Sequence, residues 1–340
     1  MSIRSSAVFG KITRMQSRLK RDAMNLDFLG GVQKQIDVYD PITKQLVREK
    51  VYGEELMKLF YGQPILAKFT SKVLTQKWLS NVYGAYNDSA ASKHKIEDFV
   101  KYLGIDVSEA EKEVPDYHSF NDFFARKLKS HLRPIDADPN GVASPGDGRL
   151  LVFPEIQTNS IVHIKWAPIS LLELFNGNKK CEETYSNGSC FILRLCPADY
   201  HRFHFPVAGT VGITKTVPGM LHSVNPVALE KQIPVFCLNK RTLCELNSAL
   251  FGNVLLMEVG AMFVGSIVQT YRAGMTVAKG DEKGYFKFGG STVVVFFEKN
   301  KIEFDPEIVE KSAQGVETLL KMGQRIARLK SASERSSSPH

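Results

Sequence analysis

The hydrophobic positions of the chain fall into two textures that meet near residue 135. Before that point, apolar residues recur at helical spacing. Leu56, Leu59 and Phe60 are followed by Ile65, Leu66, Phe69 and Val73, then by Trp78, Leu79 and Val82. Lys58, Lys68, Lys72 and Lys77 lie between them, so the pattern predicts amphipathic helices with a basic polar face. Such helices suit a core with solvated lysines, and they also suit a membrane surface. Ile96, Phe99, Val100 and Leu103 predict another short helix, closed by Gly104. Ser119 to Leu128 reads as a compact aromatic helix with a Ser or Asn cap. After Pro134, short β-rich runs alternate with turn residues: Leu150–Phe153, Ile161–Trp166, Cys190–Leu195, Val207–Lys215, Val254–Val259, Phe263–Tyr271 and Val293–Phe297. One last helix is expected from Glu307 to about Leu329, and no internal repeat is visible. The expected fold is therefore α+β. A basic leader (1–30) precedes a helical, membrane-associating region (31–135). A mainly antiparallel β catalytic domain (136–329) follows, then a serine-rich tail (330–340) expected to be disordered.

The totals narrow the class. The 340 residues are 43% hydrophobic and 24% charged, which is ordinary for a globular protein with a real core. No apolar run reaches the roughly 18 residues of a membrane-spanning helix. A formal charge of +8 suggests an anionic partner, either nucleic acid or an anionic membrane. Five cysteines, with no CxxC, indicate neither a disulfide framework nor a zinc site. Residues 1–21 carry Arg4, Lys11, Arg14, Arg18, Lys20 and Arg21 with no acid before Asp22. That composition fits an organelle transit peptide, a basic helix lying on a membrane, or a disordered leader.

Three stretches carry candidate chemistry. In Gly289-Gly290-Ser291-Thr292, the Gly290 carbonyl is unshielded and a hydroxyl follows it. Given strain and a base, Ser291 Oγ can attack that carbonyl and convert the peptide to an ester. Elimination and hydrolysis would then leave a pyruvoyl ketone, an electron sink of the kind a pyridoxal cofactor provides. By itself the stretch reads first as an ordinary strand-entry turn. Ser144-Pro145-Gly146-Asp147-Gly148 is a turn by composition. Cys196 to Pro206 holds His201 and His204 among aromatics; the flanking prolines argue for an extended path, and no third metal ligand is evident. Asp147, His204 and Ser291 supply the parts of a carboxylate, base and nucleophile arrangement. A serine hydrolase that never cuts itself would use the same three.

These motifs together resemble the phosphatidylserine decarboxylase proenzymes, in their Gly-Gly-Ser-Thr branch. The resemblance covers roughly residues 50 to 327. It runs through Ser119–Leu128, Ser144–Gly148, Asp199–Pro206, Gly219–Pro226, Glu258–Tyr271, Lys279–Val293 and Ser312–Gln324. It implies self-cleavage at Gly290–Ser291 into a large chain (1–290) and a small chain (291–340), with Ser291 becoming the pyruvoyl group. It further implies Asp147 and His204 as the processing pair and His201 as a residue of decarboxylation. Phosphatidylserine would then be decarboxylated through a Schiff base with no added cofactor. The resemblance implies that Val264-Gly265-Ser266, which mimics the cleavage triplet, is a strand of the active-site wall. The partners expected are the lipid and an anionic membrane surface rather than nucleic acid, with further dimerisation left open. The expected location is peripheral, on the cytoplasmic side of a bacterial membrane, or at a mitochondrial inner membrane if the leader is a transit peptide.

Overall fold

The computed structural model describes residues 35–50, 84–156, 162–164, 167–219, 235–260, 266–288 and 291–331. Within those bounds the chain opens on a hairpin, β1 (Gln35–Asp40) and β2 (Gln45–Lys50). Helices α1 (Lys95–Leu103) and α2 (Phe120–Phe124) follow. Next come β3 (Gly141–Ala143), β4 (Gly148–Phe153), β5 (Val162–Ile164) and β6 (Ala167–Ile169). Helices α3 (Leu171–Leu174) and α4 (Lys179–Tyr185) lead to β7 (Ser189–Leu195), β8 (Arg202–His204), β9 (Gly209–Val211) and β10 (Lys215–Val217). Helix α5 (Val235–Leu238) precedes β11 (Arg241–Ser248), β12 (Gly252–Gly260) and β13 (Ile267–Gln269). Then come β14 (Thr276–Val277), β15 (Glu282–Phe286) and β16 (Ser291–Phe297). Strand β17 (Ile302–Phe304), helix α6 (Pro306–Ala313), β18 (Glu317–Leu320) and β19 (Arg325–Leu329) complete the described chain.

One large sheet runs β14-β9-β11-β12-β16-β7-β4-β18-β1-β2, with β10 also on β11. Its pairs are antiparallel except β1 with β18. Strand β16 lies inside it, between β12 and β7, with Ser291 opposite Gly260 on one side and Leu195 on the other. Both faces are covered, which explains the continuous apolar runs in the sequence. Val293, Val295 and Phe297 enter one core with Leu193 and Leu256, whereas Val294 and Phe296 enter a second with Ile192 and Met257. A three-stranded sheet, β13-β15-β8, carries the histidine segment.

Helices α1 and α2 form a third, aromatic cluster. Ser119 caps α2 by accepting from Asp122 N–H, and Gly104 is the C-cap of α1, as the sequence predicts. Ile96, Phe99 and Leu103 pack with Tyr117, Phe120, Phe123 and Phe124 around Phe288, three residues before Ser291. The helical part therefore braces the segment that enters the central strand.

Three expectations need correction or limits. The region 31–135 is not helical throughout, because residues 35–50 are a hairpin that extends the main sheet. There, Val38 and Tyr39 find partners on β18, and pairing to a distant strand overrides any local preference. The helix expected from Glu307 to Leu329 ends at Ala313. Gly315 follows with φ of 73°, and the rest of the segment pairs with β4, β17 and β3 as β18 and β19. The helices read over residues 51–83, the leader, the stretch from Met220 to Pro226, and most of the tail lie outside the described residues. No described helix is long and apolar enough to cross a membrane.

Candidate active site

Ser291 is fully buried at the first position of β16, directly after the two glycines; Gly289 and Gly290 themselves lie outside the described residues. Its hydroxyl meets His201 Nδ1 at 3.0 Å. The other ring nitrogen, Nε2, stands 3.0 Å from the Cys196 carbonyl, which can only accept. Nε2 therefore carries the hydrogen, and the Nδ1 lone pair accepts from the Ser291 hydroxyl. Phe124 stacks on the imidazole at 3.9 Å between ring centroids. Burial, reinforced by the Arg126 charge, pushes the His201 pKa down to about 3. His201 is thus a neutral base held against a buried hydroxyl.

His204 is placed differently. Its Nδ1 donates to the Gly280 carbonyl at 2.9 Å, and Nε2 accepts from Tyr200 OH at 3.0 Å. Burial also lowers its pKa. The reason for the divergence is strand geometry. In an extended segment, side chains three residues apart point to opposite faces, so His201 and His204 cannot both turn toward Ser291. The backbone N–H of His204 donates to the Pro145 carbonyl at 2.8 Å, which seats β8 on the turn Ser144–Gly148.

That turn holds Asp147, which is 2% exposed. Arg133 grips its carboxylate with Nε at 2.9 and 3.1 Å and Nη2 at 2.7 Å. Lys321 Nζ at 3.4 Å and the Met322 N–H at 2.8 Å complete the shell. Burial by itself raises the Asp147 pKa, but the Arg133 hydrogen bonds and the Lys321 charge outweigh it and leave the carboxyl below its usual range. Gly148 is required next to it, since a Cβ there would sit 2.6 Å from the Arg194 carbonyl oxygen.

The expected linear order of Asp147, His204 and Ser291 is therefore not what the side chains form. His201 touches Ser291; the ring nitrogens of His204 are occupied by Tyr200 and Gly280, and Asp147 is engaged by Arg133. All four belong to one neighbourhood, brought together by β8, the Ser144–Gly148 turn and the start of β16. Ser266, from the triplet that mimics the cleavage site, precedes β13, where its carbonyl accepts from the Lys287 N–H at 3.1 Å. The partners that sequence reasoning missed are Phe124, Arg133, Tyr200 and the Cys196 carbonyl. Only the aromatic density around Phe124 left a trace in the pattern; Arg133 is met as one basic residue among many.

Comparison with known proteins identifies the family. The family model described as phosphatidylserine decarboxylase matches residues 120–328. A phosphatidylserine decarboxylase proenzyme of Clostridium tetani is 47% identical over 293 residues, covering 86% of this chain and 98% of the relative. A proenzyme of the same name from Desulfitobacterium hafniense is 45% identical over 291 residues, covering 86% of this chain and 97% of the relative. With the match spanning α2, both histidines, the Asp147 turn and the buried Ser291, the chain belongs to the phosphatidylserine decarboxylase family.

Proposed function

We propose that the protein cuts itself at Gly290–Ser291 and then decarboxylates phosphatidylserine to phosphatidylethanolamine and carbon dioxide. The observation that carries this reading is Ser291: a buried hydroxyl on the first residue of the central strand, after two glycines, against a neutral imidazole. The family supplies the reaction, a pyruvoyl-dependent carboxy-lyase made as a proenzyme.

Processing needs only groups of this chain and one water molecule. Ser291 Oγ attacks the Gly290 carbonyl, and the peptide becomes an ester. Loss of the Ser291 Cα proton expels the Gly290 carboxylate and leaves dehydroalanine, whose hydrolysis releases ammonia. The position suits the resulting pyruvoyl group, because residue 291 is buried and its hydroxyl's neighbour is uncharged. That ketone supplies the sink for the electron pair the departing carboxylate leaves behind. His201 is proposed to protonate the carbanion that decarboxylation leaves or to position the departing carboxylate, and the support for that role is its contact with residue 291. His204 and Asp147 are proposed as the pair on which self-cleavage depends. Their support is adjacency, through the backbone bond from His204 to the Asp147 turn. A second reading, in which His201 itself takes the Ser291 proton, is favoured by the 3.0 Å contact.

Membrane contact is proposed as peripheral, through the basic amphipathic N-terminal stretches, on the cytoplasmic side of a bacterial-type membrane. The test of function is direct. Purified protein given carboxyl-labelled phosphatidylserine in micelles should release labelled carbon dioxide and accumulate phosphatidylethanolamine. Decarboxylation of free serine in place of the lipid would overturn the substrate assignment.

A further inference from the structure

Arg126, at the end of the α2 segment, is 4% exposed. Its Nη2 donates to the carbonyls of Ala198 at 2.9 Å and Asp199 at 3.2 Å, in the turn that leads to His201. Its Nε and Nη1 are also buried, and neither has a hydrogen-bond partner among the described residues. The carboxylates with the largest electrostatic effect on it are Asp199, Asp147 and Glu109. Each is taken by another cation: Asp199 by Arg149, and Asp147 and Glu109 by Arg133. A third unmet polar atom lies in the same cluster. Tyr117, 2% exposed, has a buried hydroxyl whose hydrogen finds no acceptor among the described residues. Both groups pack on Phe123: the Arg126 guanidinium lies 5.2 Å from its centroid, and the Tyr117 ring meets it edge-on at 5.2 Å.

A buried guanidinium lacking a carboxylate is unusual, because a desolvated charge is retained only where something compensates it. Three unmet donors around one cation make a site for an oxyanion. We propose that Arg126, with Tyr117, binds the phosphodiester of the lipid headgroup. This rests on the decarboxylase reading. In phosphatidylserine the phosphate is separated from the reacting amine by two carbons and one oxygen, so it must lie close to residue 291. Arg126 meets that requirement, since it holds the turn carrying His201, and His201 touches Ser291. The headgroup's carboxylate is the poorer occupant. Pairing it with a guanidinium would stabilise the ground state of a group that must leave as neutral carbon dioxide.

The test compares Arg126→Met and Arg126→Lys with the parent, each first checked by mass for self-cleavage. Cut Arg126→Met should show KM for phosphatidylserine raised roughly tenfold or more, with Arg126→Lys intermediate. Competitive inhibition by short-chain phosphatidylethanolamine, which keeps the phosphate and lacks the carboxylate, should weaken in parallel. Unchanged inhibition by that product in cut Arg126→Met would overturn the proposal and leave Arg126 a strut, or a clamp on the carboxylate. Should neither variant cut, the parent decides. Short-chain phosphatidylethanolamine must inhibit it, and the uncharged methyl phosphotriester of the same lipid must not; equal inhibition by the two would sink the idea. A parent that fails to cut or to act on phosphatidylserine would instead contradict the decarboxylase reading, whatever Arg126 does.

Discussion

At the scale of residues, the division of labour between His201 and His204 is the sharpest question the site poses. If His204 serves processing, His204→Ala remains a single chain. His201→Ala is then cut but loses decarboxylase activity by about 10²–10⁴-fold. A gel of the two variants, with product assays on whatever is cut, decides it; an uncut His201→Ala would assign the proton transfer to His201. The titration of these groups also shapes stability. His201 has its folded pKa depressed to about 3 from 6.5, so the unfolded chain binds a proton first as pH falls. Stability is therefore lost from pH 6.5 downward, by up to about 1.4 kcal/mol per pH unit per such group. His204 acts in the same direction. Asp147, also depressed, contributes stability above the ordinary carboxyl pKa and loses it as pH falls through the folded value. Urea midpoints measured between pH 7 and 4 should fall less steeply for His201→Gln than for the parent, and equal slopes would contradict burial of a neutral imidazole. The sequence made all four residues visible as candidates but not their contacts. Which histidine faces Ser291 depends on the alternation of an extended segment, and the Arg133 grip on Asp147 is a tertiary pairing with no local signal.

At the scale of elements, the aromatic cluster of α1 and α2 links the helical part to the chemistry, because Phe288 sits in it just before the cleavage segment. Phe99 meets Phe120, Phe123 and Phe288 edge-on and is fully buried. Phe99→Ala should cost about 3–5 kcal/mol of stability and slow self-cleavage. Urea unfolding and a time course of cutting measure the two effects, and a variant that loses stability yet cuts at the parent's rate would uncouple the cluster from the site. The strands were the most legible elements. Val293–Phe297 and Cys190–Leu195 are buried on both faces, so the first reads as an unbroken apolar run and the second as one broken only by Arg194. Residues 317–329 were not legible as strands. Glu317 is an acid buried against Arg194, an interaction that only the assembled sheet provides.

At the scale of the whole molecule, the proposed cut falls at the edge of the central strand. The small chain would supply β16, already hydrogen-bonded to β12 and β7, together with β17, α6, β18 and β19. The two chains should therefore co-migrate in native gel filtration and separate only in denaturant. Separation under native conditions would contradict the interleaved sheet. The membrane proposal belongs to this scale too. Each basic residue near an anionic surface contributes about 1 kcal/mol, and salt screens it. Lys68, Lys72 and Lys77 lie outside the described residues, and their joint replacement by Glu should weaken sedimentation with anionic vesicles while sparing self-cleavage. Undiminished binding would move the membrane contact elsewhere on the molecule.

The most direct measurement is an intact mass of the purified protein under denaturing conditions. The account predicts two species, residues 1–290 and 291–340, with the smaller lighter by one ammonia than a serine-terminated chain and blocked to stepwise sequencing. A single uncut chain, or a small chain that begins with a readable serine, would contradict it.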